Sequence, residues 1–73
     1  MMDKNRNIEL KFGNRVKALR NILKITQEEL AYRSNLHRNY ISDVERGRRN
    51  ISLIAIYKIA EGLNVSVDAL FID

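Results

Sequence analysis

Cysteine and proline are both absent from these 73 residues, and glycine occurs only three times. Without cysteine there can be neither a disulfide framework nor a thiolate metal site, so packing alone must hold the chain together. Without proline, and with Gly13, Gly47 and Gly62 scattered, no linker, low-complexity tract or repeat divides the chain. The opening residues 1–7 have no apolar core of the signal-peptide kind. No apolar run approaches the roughly 20 residues that span a bilayer. A cytoplasmic chain with no membrane role is expected. Catalytic chemistry is equally unprovided for: His37 is the one histidine, and it has no cysteine to work with and no Gly-rich phosphate loop nearby. No catalytic residue, metal-ligand set or cofactor is expected.

What the chain does have is apolar residues at 45% and a net charge of +4. A chain of this length builds one domain around one modest core, stable enough alone only by a narrow margin, so self-association is anticipated. The charge is unevenly spread. Twelve of the 13 Lys and Arg lie at or before Arg49, against six of the nine Asp and Glu. The first two thirds are therefore strongly basic and the last third slightly acidic, a distribution suited to a polyanionic partner.

Periodicity predicts an all-α fold of five helices. Ile8, Phe12, Val16, Leu19 and Leu23 recur every three or four residues and make one apolar stripe, giving an amphipathic helix over residues 8–24 after a flexible tail at 1–7. Residues 8–73 then form a single domain. Thr26 to Glu29 reads as a capping box, in which the Thr26 hydroxyl accepts from the Glu29 amide and the Glu29 carboxylate reaches back. It opens a short second helix, 27–34, ended by Asn35, which tolerates a left-handed backbone. A third helix over 37–46 buries Ile41 and Val44 and stops at Gly47. Its other side carries Arg38, Asn39, Ser42, Asp43 and Arg46, unlike the Glu and Lys mixture that usually solubilises a helix. Ser52 caps a fourth helix with Leu53, Ile56, Ile59, Ala60 and Leu63 inward, and Ser66 a brief fifth over 67–71.

The segment from Gln27 to Gly47 resembles the helix-turn-helix of the phage Cro and repressor family. It carries Ala31 where two helices cross, apolar Leu30, Leu36, Ile41 and Val44 at the family's core positions, and the Glu45-x-Gly47 ending. It departs from the family in having Asn35 where Gly is usual. The flanking helices are also similar, so the resemblance covers nearly the whole chain and implies a compact lambda repressor-like five-helix bundle. More narrowly, residues 36–52 look like the controller proteins of bacterial restriction-modification systems. That likeness implies a homodimer on near-palindromic operators upstream of its own and the endonuclease gene, activating at low occupancy and repressing when a second dimer binds. RNA polymerase is a further candidate partner.

A helix in the major groove distinguishes bases only through side chains that match base edges. Arg38 can present a fork to guanine O6 and N7, and Asn39 can pair with adenine N6 and N7. Both sit at the helix start that meets the bases in this docking mode. Ser42 is small enough for close approach. Arg46, Arg48, Arg49 and Asn50 sit where a family member's helix end and loop meet the backbone, and Gln27 resembles the residue that bonds a phosphate and braces the reading helix; such contacts position rather than specify. Asp43 is expected to pair with Arg46 or Arg38. The resemblance implies an ion pair of Arg20 with Glu45. His37 reads as a cap-region or phosphate-facing residue. Ile54, Tyr57, Val67, Phe71 and Ile72, in the less basic third, could supply an apolar dimer seam. The alternatives are a phage or chromosomal repressor, or an antitoxin-like module that binds protein through its apolar helix faces.

Overall fold

The computed structural model describes residues 4–72, so residues 1–3 of the expected tail, and Asp73, lie outside it. Four α-helices follow one another, α1 (Lys4–Ile22), α2 (Gln27–Ser34), α3 (Arg38–Glu45) and α4 (Leu53–Leu63), and a 3-10 turn at Val67–Phe71 closes the chain. The all-α class stands, with no strand among the described residues, but the fifth helix is a turn rather than an α-helix. Its tight bonds, such as Ala69 N to Ser66 O at 3.0 Å, are those that short terminal pieces adopt. The Ser66 side chain makes no capping bond. At the other end, α1 starts at Lys4, so residues 4–7 are helical rather than tail.

All four helices end by one device. Lys24, Asn35, Gly47 and Asn64 each take a left-handed backbone, with φ of 58°, 53°, 71° and 56°. In each case the amide of the next residue donates to a carbonyl five residues back: Ile25 to Arg20 (3.3 Å), Leu36 to Ala31 (2.9 Å), Arg48 to Asp43 (2.9 Å) and Val65 to Ala60 (3.0 Å). This Schellman geometry satisfies carbonyls that a helix end would leave unpaired. It also turns the chain sharply, and Ile25, Leu36 and Val65 use the turn to fold back onto the core. It explains why α1 stops two residues before the expected 24. Lysine is not a residue that advertises a left-handed turn, and the cost of about 1 kcal/mol is offset by the return of Ile25 to the core.

Helix starts are capped by side chains. Thr26 Oγ1 accepts from the Glu29 amide at 3.0 Å, and Ser52 Oγ from the Ala55 amide at 3.1 Å. The second half of the expected capping box does not form, because the Glu29 carboxylate instead takes Arg33 Nε one turn on, at 3.1 Å. His37 is not the first residue of α3 but its cap, with Nδ1 accepting from the Asn39 amide at 3.0 Å. Its ring proton therefore sits on Nε2.

Val16, Leu30, Ile41, Ile59, Leu63 and Leu70 are fully buried, so every helix and the terminal turn contribute to one core. Three residues placed inward by periodicity are exposed: Ile8, Leu23 and Leu53. Ile8 lies in the N-terminal part of α1 and Leu23 just past its end, and Ala55 takes the interior place that Leu53 was given.

Two constraints fix α1 against α3. Gly13 lies where they cross, and a Cβ there would run into the Val44 carbonyl oxygen and come within 3.0 Å of that of Glu45. The other is an ion pair. Arg20 donates from Nε to Glu45 Oε2 at 2.7 Å and from Nη2 to Oε1 at 3.0 Å, while its Nη1 reaches the Ile25 carbonyl at 2.8 Å. The expected Arg20–Glu45 pair is present, and bidentate.

Gly13→Ala is expected to destabilise the fold by about 1–3 kcal/mol, seen as a lower denaturation midpoint with an unchanged slope. Arg20→Ala strands the Glu45 carboxylate, whose side chain is only 3% exposed, and should cost about 3–5 kcal/mol. Replacing both partners, as Arg20→Met with Glu45→Leu, should recover most of that loss in the same titration.

Candidate nucleic-acid interface

The candidate face is built on α3. Arg38 and Asn39 occupy its exposed first turn, Ser42 and Asp43 are half-buried further along, and Arg46 is exposed at the end. His37 fixes where this face starts, because the bond from the Asn39 amide to its imidazole holds the chain as it enters the helix. Opposite lie α1 and the start of α2. Between them runs an open polar cleft of about 380 Å³, with Arg38, Asn39, Ser42 and Arg46 on the α3 side and Lys17 and Gln27 facing them. Asp43 and Glu45 complete the lining.

Glu45 ties the two walls together. Besides the bidentate bonds from Arg20, its Oε1 accepts from Gln27 Nε2 at 3.1 Å. Since a carboxylate only accepts, the Gln27 amide must turn its NH2 inward, leaving its second N–H and its carbonyl for the cleft. Gln27 is thereby bonded to the last residue of α3. Hydrogen bonding to Glu45 raises the Arg20 pKa above its ordinary value, with burial opposing and the Glu45 charge assisting. Glu45 thus favours the charged form of Arg20.

Asp43 departs from expectation. It pairs with neither Arg38 nor Arg46 but with Arg49, whose Nη2 donates to Oδ2 at 3.1 Å. The reason is the left-handed turn at Gly47, which brings the loop back beside α3. Arg49 also lies over the Tyr40 ring, 4.4 Å from its centroid, a cation–π contact that the sequence reading did not anticipate. Arg38 and Arg46, the residues first assigned to Asp43, are left without an acidic partner among the described residues.

The expected site residues thus fall into two groups. Arg38, Asn39, Ser42, Arg46 and Gln27 share the cleft. Arg48, Arg49 and Asn50 do not: they form an exposed loop at the far end of α3. Arg49 and Asn50 border a separate, mainly apolar pocket of about 200 Å³ together with Ile8, Phe12 and Phe71. Lys17 was not singled out from sequence. Its signal was available, since it lies one turn before Arg20 and so shares a helix face with it.

Of the residues expected in a dimer seam, Ile54, Tyr57, Phe71 and Ile72 are 69%, 56%, 57% and 54% exposed. Val67 is half-buried and packs on the core. Leu53 adds a further exposed apolar side chain beside Ile54. No helix among the described residues is long and apolar enough to cross a membrane.

Comparison with known proteins places this geometry. Residues 16–70 match the family described as Helix-turn-helix. Control protein C.BamHI of Bacillus amyloliquefaciens is 50% identical over 60 residues, which is 81% of this chain and 74% of that protein. The restriction-modification controller protein C.AhdI from Aeromonas hydrophila superposes with a TM-score of 0.85 at 44% identity, over 86% of this chain and 96% of that one. The restriction-modification controller protein C.Esp1396I, solved as a tetramer in complex with its natural 35 base-pair operator, gives a TM-score of 0.82 at 41% identity, over 88% of this chain and 84% of that one. With most of its length matched at these identities, the chain belongs to the helix-turn-helix family, among the restriction-modification controller proteins.

Proposed function

We propose that this chain is a sequence-specific transcription regulator that binds a near-palindromic DNA operator as a homodimer, controlling its own gene and that of a restriction endonuclease. The observation that carries this reading is the cleft: an exposed Arg and Asn at the start of α3, held at a fixed angle to α2 by the buried Glu45 network. Arg38 and Asn39 are the base-reading residues, with Ser42 allowing close approach. Gln27 holds a phosphate with the amide hydrogen that Glu45 leaves unused, and Arg46, Arg48, Arg49 and Asn50 hold the backbone at the other end of the helix. Operator binding by C.Esp1396I as a tetramer supports the same use here. RNA polymerase is the partner through which activation would act, and the cytoplasm is where the chain would meet it.

The dimer is formed through the apolar side chains left exposed on α4 and the terminal turn, Ile54, Tyr57, Phe71 and Ile72, with Val67 beneath them. A twofold axis there sets the two reading helices about 34 Å apart, one turn of DNA, so the half-sites are spaced accordingly.

Three outcomes are expected. Arg38→Ala should relax preference at one position of each half-site, losing about 1–3 kcal/mol of discrimination there, when wild-type and variant proteins select from randomised duplexes. Arg49→Ala should weaken all sequences alike and flatten the dependence of log K on log salt. Equal, sequence-blind losses from both would remove Arg38 from base reading. Tyr57→Asp with Ile54→Asp should yield a folded monomer in sedimentation at micromolar concentration; an unchanged dimer would move the seam elsewhere.

A further inference from the structure

We infer that Lys17 is a phosphate-anchoring residue, gripping the DNA backbone on the side of α3 opposite the arginine loop; this rests on the DNA-binding reading above. Lys17 is exposed on α1, yet it borders the polar cleft whose far wall is Arg38 and Asn39. It shares that open cleft of about 380 Å³ with Arg38, Asn39 and Gln27.

The charges around it decide the matter. Both carboxylates in the cleft are already engaged, Glu45 by Arg20 and Asp43 by Arg49. The other described ion pair, Glu29 with Arg33, lies along α2. Lys17 therefore stands in the cleft as an ammonium with no acidic partner among the described residues. Arg20, one turn later on the same face, commits three of its five N–H groups to Glu45 and the Ile25 carbonyl. Arg15 spends its Nε on the Ala69 carbonyl at 2.8 Å. Of the cations on this part of α1, Lys17 is the one that borders the cleft without an internal task.

A lysine on an amphipathic helix is ordinarily a solvated surface group, and Lys11 shows what that looks like on the same helix. It borders two mainly apolar hollows with Ile72, away from α3. Lys17 differs by position. A helix seated in the major groove, about 12 Å wide, has a backbone strand on each side. On the proposed docking, the exposed loop after α3 meets one of them. Lys17 and Gln27, from α1 and α2, stand on the other side of the reading helix and serve the second strand. A flexible ammonium makes a point-charge contact without demand on base identity, so its contribution is positional.

The test compares Lys17→Gln, Lys17→Arg and Lys11→Gln, on a duplex selected from randomised DNA by the wild-type protein and on an unrelated duplex of equal length. Lys17→Gln should weaken both by about three- to tenfold and reduce the salt slope by about one per bound protomer. Its base preference and thermal midpoint should match wild type. Lys17→Arg should restore affinity and slope, and Lys11→Gln should change neither. Wild-type affinity and slope in Lys17→Gln would overturn the assignment, as would a loss confined to one base position. Absence of salt-dependent binding by the wild-type protein would instead bring down the DNA reading itself, and this proposal with it.

Discussion

The buried carboxylate of Glu45 is the point on which the rest of the structure depends. It sits at the end of α3, receives two bonds from Arg20 of α1, and receives a third from Gln27 at the start of α2. Arg20 in turn holds the Ile25 carbonyl in the turn between α1 and α2. Apolar contacts alone would tolerate small slides of one helix on another, since they are non-directional. A bidentate pair with a third donor tolerates far less. An ion pair out of water adds little net stability against a well-packed apolar pair; its use here is angular. It sets the tilt of the reading helix against α2, and Gly13 supplies the matching steric limit from the other side.

How much of this could be read from the sequence varied with the kind of interaction. The helices were legible because their apolar residues recur at helical spacing, and the Thr26 and Ser52 caps because their signals are local. Asn35 was legible as a left-handed turn, but Lys24 was not, because its conformation follows from the packing of Ile25 and not from its own preference. The exposure of Leu53 was illegible for a similar reason: periodicity gives a stripe, and the rotation of that stripe is settled by neighbours. The cleft residues on α3 were legible as an unusual polar set. The Asp43–Arg49 pair was not, since it spans a turn whose direction no local pattern states.

The same helix-ending device serves two purposes. After α1, α2 and α4, the residue beyond the left-handed turn is Ile25, Leu36 or Val65, and it returns to the core. After α3 it is Arg48, which is exposed. The chain leaving the reading helix is thus turned as sharply as elsewhere but carries cations outward in place of an apolar anchor. Arg49 is then steadied from two sides, by the Tyr40 ring and by Asp43. Both members of that ion pair are about 40% exposed, so the pair contributes little to stability. Its effect is to restrict where Arg49 can be, which on the proposed reading would lower the entropy lost when the loop meets a backbone.

That arrangement bears on how a chain of this size can discriminate among DNA sequences. One reading helix offers few base contacts, and phosphate contacts strengthen all sequences alike. Raising affinity through more cations would therefore enlarge nonspecific binding as fast as specific binding. A second copy escapes the limit, because two half-sites held at fixed spacing double the base contacts while demanding their register. The exposed apolar residues of α4 and the terminal turn lie in the third of the chain that carries only Lys58, Glu61, Asp68 and Asp73 as charged residues, so charge opposes their meeting little. On the proposed reading, the uneven charge of the sequence divides the labour: the basic part engages a polyanion, and the remainder is left neutral enough to engage itself.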